Sequence, residues 1–314
     1  MMNVKTMHTP EVQELLEKVA GFNNSDGNER VKTILHRVMH DVFQIIEDLD
    51  ITQDELWTAV YYINQLGANG EAALLAPGLG IDKYLDIRSD EADKQAGLYG
   101  GTPRTIEGPL YVAGSPKSEG FARMDDGTDT ESEVMLLTGQ VTDQDGNPIR
   151  NAVVDIWHAN SMGAYSYFDK SQSEYNLRRR IETDENGRYT ARSIIPAGYG
   201  CPPEGSTQHL LNQLGRHGNR PAHIHFFISK PGYKHLTTQI NLAGDEYTYD
   251  DFAFATLEEL VIEAQRIEDP AKADALGLEG PFTQVEFDIQ LLSTEKSELH
   301  VRHSRLRALE GEQA

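Results

Sequence analysis

The sequence predicts an α+β protein, with a helical region over residues 1–105 followed by an antiparallel β-sandwich over 106–314. Three observations carry this. Apolar residues recur at spacings of three and four through the first hundred residues, short strand-like runs follow, and Gly100-Gly101-Thr102-Pro103 marks the change of pattern between them.

The helical elements come first. Thr9-Pro10-Glu11 supplies a cap and then a proline at the first helical position, where a missing N–H costs nothing. Val31, Ile34, Leu35, Val38, Val42, Ile45, Ile46 and Leu49 make one apolar stripe over about five turns. That stripe needs a partner, either within its own bundle or in a second copy of the chain. Thr52-x-x-Glu55 is a capping box that opens onto Leu56, Val60 and Ile63.

Strands are expected over 134–137, 152–157 and 189–194, with Asp145-Gly146-Asn147-Pro148 and Asp184-Glu185-Asn186-Gly187 between them as turns. Runs at 223–228 and 236–241 continue the series. Val285, Phe287, Ile289 and Leu291 then alternate with Glu286, Asp288 and Gln290, which predicts a strand with one dry and one wet face. A helix over 256–268 is expected to interrupt the strands and to pack with the helical region. Its signal is the capping box Thr256-x-x-Glu259, followed by Leu260, Val261, Ala264 and Ile267. The charged tail from Glu295 is expected to fray.

Composition narrows the function. The chain of 314 residues carries a net charge of −22, and no basic stripe is visible to neutralise phosphates, so nucleic acid is excluded as a partner. An acidic field suits a small neutral molecule better than an anion. No run approaches the ~18 apolar residues of a membrane span, and residues 1–9 lack a targeting pattern, which makes the cytoplasm the expected compartment. The single cysteine, Cys201, excludes Cys-rich metal sites, so a metal would have to be held by nitrogen and oxygen donors.

The donor pattern is Arg220-Pro221-Ala222-His223-Ile224-His225-Phe226. On a strand, His223 and His225 point the same way, while Ile224, Phe226 and Ile228 pack behind them. Two imidazoles on one face suit a transition metal, but ordinary hydrogen bonding explains such a pair as well. Long polar and aromatic loops lie upstream, at 157–166 and 196–203, and loops on a rigid sheet are where sites usually sit. Gly198 and Gly200 are expected to let the backbone turn sharply and present Tyr199. From the residues alone the chemistry stays open, and two of the readings are a zinc hydrolase drawing on His158, His209 or His217 and a binding module with a tyrosine and histidine rim.

The ordered set Tyr165, Tyr199, His223, His225, with Arg220 just upstream, resembles the ferric site of the intradiol ring-cleaving dioxygenases. The supporting segments are Gly108-Pro109-Leu110-Tyr111, Asp155-Ile156-Trp157-His158-Ala159-Asn160, Pro196-Ala197-Gly198-Tyr199-Gly200 and Arg220 to His225. The likeness covers nearly the whole chain, including the helical region that catechol-type members carry. It implies Fe(3+) held by Tyr165, Tyr199, His223 and His225. It implies intradiol cleavage of catechol by O2 to cis,cis-muconate, within the β-ketoadipate route of aromatic degradation.

In that scheme Tyr199 leaves the metal and accepts a substrate proton. Arg220 stabilises negative charge on the substrate, and Gln239 hydrogen-bonds nearby. The resemblance also implies an apolar pocket walled by Leu74, Pro77, Ile106, Pro109, Leu110, Phe252 and Ala253, near the junction of the two regions. None of these walls is cationic, which favours catechol or a methylated catechol over a carboxylated ring. A homodimer through the N-terminal helices is implied too, with phospholipid held in its interface.

Overall fold

The computed structural model describes residues 4–130, 132–278 and 280–294, so the tail from Glu295 lies outside the described residues. The chain divides into two compact units, Met1–Asn69 and Gly70–Ala314.

The first unit holds α1 (Pro10–Ala20), α2 (Glu29–Leu49) and α3 (Gln53–Ala68). Each starts at a side chain that satisfies a free helical N–H. Thr9 accepts from Val12, Asn28 from Arg30 and Val31, and Thr52 forms the expected box with Glu55, both bonds present. Glu47, near the end of α2, accepts from the backbone N–H groups of Thr6 and Met7. The apolar stripe of α2 is not buried within the chain: Val31, Val38, Ile45 and Leu49 are 58, 50, 49 and 72% exposed.

Among the described residues the second unit carries the α-helices α4 (Ala72–Gly78), α5 (Ile81–Gln95), α6 (Ser206–Gln213) and α7 (Pro270–Ala275). Its strands are β1 (Lys117–Glu119), β2 (Phe121–Arg123), β3 (Val134–Thr142), β4 (Val153–His158), β5 (Arg178–Glu182), β6 (Arg188–Ile194), β7 (Tyr199–Gly200) and β8 (Asn219–Arg220), then β9 (His223–Ser229), β10 (Leu236–Leu242), β11 (Val261–Ile262), β12 (Gln265–Ile267), β13 (Phe282–Glu286) and β14 (Ile289–Gln290). One sheet runs β1-β5-β4-β9-β10-β11 and the other β12-β13-β3-β6-β2, with β14 also on β3; β7 and β8 pair by themselves. Ile156, Ile224, Phe226 and Ile240 from the first sheet meet Leu137, Tyr189, Ala191 and Val285 from the second in one core.

Three expectations need correction. The sandwich is mixed rather than antiparallel, because β1–β5, β2–β6, β10–β11, β13–β3 and β14–β3 pair in parallel. These strands reach their partners through long connections, and only a tight hairpin imposes the antiparallel sense.

The helix expected over 256–268 is absent. Glu258–Leu260 is one 3-10 turn, Val261–Ile262 joins β10, and Gln265–Ile267 joins β13. A helix this short is marginal alone, and the β-branched pair Val261-Ile262 finds backbone partners on the open edge of β10. The strand expected through 285–291 keeps its alternation but breaks at Phe287-Asp288, where the Asp288 carboxylate accepts from the Gln140 N–H at 2.8 Å in place of a ladder bond.

Candidate metal centre

The strand β9 lies between β4 and β10, so its alternation decides what faces the site. Ile224, Phe226 and Ile228 enter the sandwich core, leaving His223 and His225 on the opposite face. In register, His225 lies beside Trp157 on one side and Gln239 on the other, and His223 lies beside Asn241. The Trp157 indole stacks on the His225 ring at 4.8 Å with only 4° between planes, which fixes the imidazole's tilt.

The two histidines are both buried, and their Nε2 atoms lie 3.1 Å apart. His223 Nδ1 lies 2.6 Å from the Pro221 carbonyl oxygen, which only accepts, so Nδ1 carries the hydrogen and Nε2 presents its lone pair. Burial, followed by the nearby Arg220 charge, pushes His223 down to about 3. His225 is held well below the usual imidazole range by burial and then by His223. Both rings are therefore neutral at pH 7, the state in which imidazole binds a metal.

Tyr165 Oη lies 3.4 Å from His223 Nε2. The Tyr199 ring packs edge to face on Tyr165 with centroids 5.4 Å apart, and its centroid is also 5.4 Å from that of His223. Glycines make this approach possible. At Gly163, where φ is +77°, a Cβ would stand 2.8 Å from Tyr199 Cβ; at Gly198 it would stand 2.6 Å from the Arg220 carbonyl oxygen.

The role expected of Gly198 and Gly200 changes accordingly. Neither has a positive φ. They are small because β7 lies tight on β8, where Tyr199 pairs with Arg220 and Gly200 with Asn219.

Arg220 is buried, and its fork grips both oxygens of Asp251 at 3.1 Å, while Nη2 donates to Gln239 Oε1 at 2.8 Å and Nη1 to His223 Nε2 at 3.0 Å. Burial works against its charge, but Asp251 more than compensates and keeps it well above the ordinary value. Gln239 passes the chain of contacts on to Asn241 at 3.2 Å. Sequence reasoning named Arg220 and Gln239 but missed Asp251, which lies 31 residues away with no local signal. It also missed Trp157 as the partner of His225, a pairing visible only from strand register.

The expected walls fall into two patches, and all seven residues belong to the second compact unit. Ile106, Phe252 and Ala253 share a buried cluster, and Leu110 packs against the one that contains Trp157 and Tyr165. Leu74 and Pro77 lie on α4, whose Gly78 faces the Phe252 ring at 3.3 Å from its Cβ position. Pro109 follows Gly108, where a Cβ would come 3.8 Å from His225 Cε1. An open pocket of about 540 Å³ beside Tyr199 and Arg220 is lined also by Asn219, Asp245, Glu246 and Tyr247, and includes none of the seven expected walls.

Among the described residues no group of three or more His, Cys, Asp or Glu is placed to hold a metal. The three histidines considered from the sequence do not join the pair: both nitrogens of His158 are engaged by the Ala159 carbonyl and Ser193, His217 pairs with Asp250, and His209 is exposed. What surrounds the imidazoles instead is phenol. Two nitrogens 3.1 Å apart suit one shared ion, since metal–nitrogen bonds of about 2.0–2.1 Å at a right angle separate their donors by about 3.0 Å. Burial pushes the Tyr165 phenol well above its usual range, so a cation at its oxygen is what would make it a phenolate. Two imidazoles and two phenols form a hard donor set suited to ferric iron.

Comparison with known proteins bears directly on this donor set. Residues 106–293 match the family model described as "Dioxygenase", and residues 28–97 match "Catechol dioxygenase N terminus". The chain is 58% identical over 292 residues to a catechol 1,2-dioxygenase of Acinetobacter baylyi, covering 92% of this chain and 94% of that one. It is 56% identical over 301 residues to another from Pseudomonas sp. strain EST1001, covering 96% and 100%. The crystal structure of catechol 1,2-dioxygenase from Pseudomonas arvilla C-1 superimposes with a TM-score of 0.94 at 55% identity, over 98% of this chain and 99% of that one.

Proposed function

The chain belongs to the catechol 1,2-dioxygenase family of intradiol ring-cleaving enzymes, and from that premise we propose that it cleaves catechol with O2 to cis,cis-muconate at a ferric centre held by Tyr165, Tyr199, His223 and His225. The observation that carries this reading is the facing of the two neutral imidazole Nε2 atoms at 3.1 Å with a buried phenol oxygen 3.4 Å from one of them. The overall change breaks the ring bond between the two hydroxyl-bearing carbons and adds both atoms of O2, one to each, so that catechol becomes a dicarboxylic acid with no other reductant or oxidant. Ferric iron, when bound, would supply Lewis acidity toward the two oxygens of catechol.

The chain's own residues do the rest. Tyr165, His223 and His225 would hold the metal, and Trp157 holds the His225 ring at its angle. Tyr199, half-buried beside Arg220, would be the fourth holder of the metal and the base that takes a substrate proton on its Oη. Arg220, locked by Asp251 and Gln239, offers fixed positive charge to the anion that develops on the substrate, with no reorganisation at the moment of reaction. The apolar walls Leu74, Pro77, Ile106, Pro109, Leu110, Phe252 and Ala253 would take the ring and exclude water. With no cation among them, they favour an uncharged ring over a carboxylated one.

The exposed stripe of α2 supports a homodimer through the N-terminal helices, since so many apolar side chains on one face call for cover. Phospholipid in that interface rests on the family resemblance alone. No helix among the described residues is long and apolar enough to cross a membrane; the cytoplasm, and a place in the β-ketoadipate route, belong to the same proposal. The test of the reaction is isotopic. With ¹⁸O2, a muconate carrying two labelled atoms supports the proposal, and a ring-opened semialdehyde or an unlabelled product would refute it.

A further inference from the structure

Arg178 is fully buried at 1% exposure, yet among the described residues it makes no ion pair within 4.0 Å. Its Nε donates to Ser166 Oγ at 3.0 Å and its Nη2 to the Ser166 carbonyl at 3.1 Å, while Nη1 has no hydrogen-bond partner. Ser166 follows Tyr165 directly, and the guanidinium carbon stands 5.8 Å from the centre of the Tyr165 ring. In register Arg178 also lies beside Trp157, the residue stacked on His225.

The contrast with Arg220 is informative. That arginine is neutralised by Asp251, whereas Arg178 is a buried cation without a carboxylate partner, an arrangement that costs stability unless an anion is supplied. Asp155 acts on it only from a distance, and its oxygens already receive hydrogen bonds from Tyr111 and Ser115.

We propose that Arg178 is a positioning residue for Tyr165, fixing the loop through Ser166 and serving as the counter-cation of the phenolate that Tyr165 becomes when iron binds. The inference rests on the metal-centre reading above. An arginine guanidinium stays cationic at neutral pH even when buried. The metal-free protein thus carries an unbalanced buried charge that ligation of Tyr165 balances, which makes iron affinity and Tyr165 electronics depend on a side chain that never touches the metal.

The test compares the wild type with Arg178→Met and Ser166→Ala, each freed of metal and reloaded with ferric iron from a citrate chelate. For Arg178→Met, iron affinity by chelator competition should fall at least about tenfold, the usual effect of losing an outer partner of a ligand. The visible phenolate-to-iron band should move to longer wavelength, because a cation over the ring stabilises the donor more than the acceptor. Thermal stability of its metal-free form should be equal to or above that of the wild type. Ser166→Ala keeps the charge and should keep the band, which also tests the proposal should the methionine variant not fold.

Unchanged affinity and band in Arg178→Met, or a band shift in Ser166→Ala as large as the one expected for charge removal, would overturn the role of Arg178 alone. A wild type that takes up no iron would overturn this inference and the metal centre together.

Discussion

His223 and His225 face each other across 3.1 Å through their Nε2 atoms, two neutral rings buried on the outer face of a strand whose other face fills the sandwich core. His223 Nε2 presents a lone pair, and no hydrogen-bond partner of His225 Nδ1 fixes that ring's tautomer, so His225 Nε2 can present one as well. An ion shared between the two nitrogens would hold them in this arrangement. Removing one ring by His225→Ala should therefore abolish iron retention while the fold persists. Metal analysis after gel filtration checks this, and a stoichiometric iron content would contradict the ligand assignment.

Tyr199 has the opposite character, because it is the ligand assigned to leave. Tyr199→Phe should keep iron through Tyr165, His223 and His225 and lose turnover by about 100-fold or more, the contribution typical of a positioned base. Iron content and kcat measured on one preparation test both halves.

Gly163 admits no side chain at φ +77° with Tyr199 Cβ 2.8 Å and the Gly198 carbonyl 2.9 Å from its Cβ position. Gly163→Ala should push Tyr199 out of line and lower kcat/KM by on the order of 100-fold, as misplacement of a reacting group by about 1 Å does. Iron content should stay near that of the wild type.

Asp251 neutralises Arg220 in a buried fork. Asp251→Asn leaves that guanidinium unpaired and should cost about 3–5 kcal/mol of stability by denaturant unfolding. The pair also has a pH signature. Burial would raise the Asp251 carboxyl, but Arg220 holds it below its ordinary value of 3.8. The stabilisation is then present in full above that ordinary value and is lost as pH falls through the lower folded-state value. The wild type should lose stability over that acid range, and Asp251→Asn should lose correspondingly less.

The open stripe of α2 gives the assembly prediction. Val38→Glu with Ile45→Glu should convert a dimer into a monomer in light scattering and leave the iron band unchanged. A wild type that is already monomeric at working concentration would refute the interface.

How much of this was legible in the sequence depends on the range of the interaction that decides each feature. The caps of α1 and α3 and the alternation of His223 and His225 with Ile224 and Phe226 are local, and they appear in the structure as expected. Tyr165 and Tyr199 were not selectable by pattern among thirteen tyrosines; only the family resemblance singled them out. The Arg178-Trp157-His225-Gln239 row needs the register of four strands, which no local signal encodes. Residues 256–268 show the converse, since a good local helix signal yields to the sheet edges that β11 and β12 join. Gly198 and Gly200 were noticed for the right loop and the wrong reason, because their small size serves contact between β7 and β8 rather than a turn.

The most direct measurement is the visible spectrum of the iron-loaded protein before and after anaerobic addition of catechol. A broad red-purple band that shifts to longer wavelength with catechol is the expected result, signalling tyrosinate on ferric iron and direct binding of the substrate. A protein that stays colourless after iron is supplied would contradict the assignment of Tyr165 and Tyr199 as ligands.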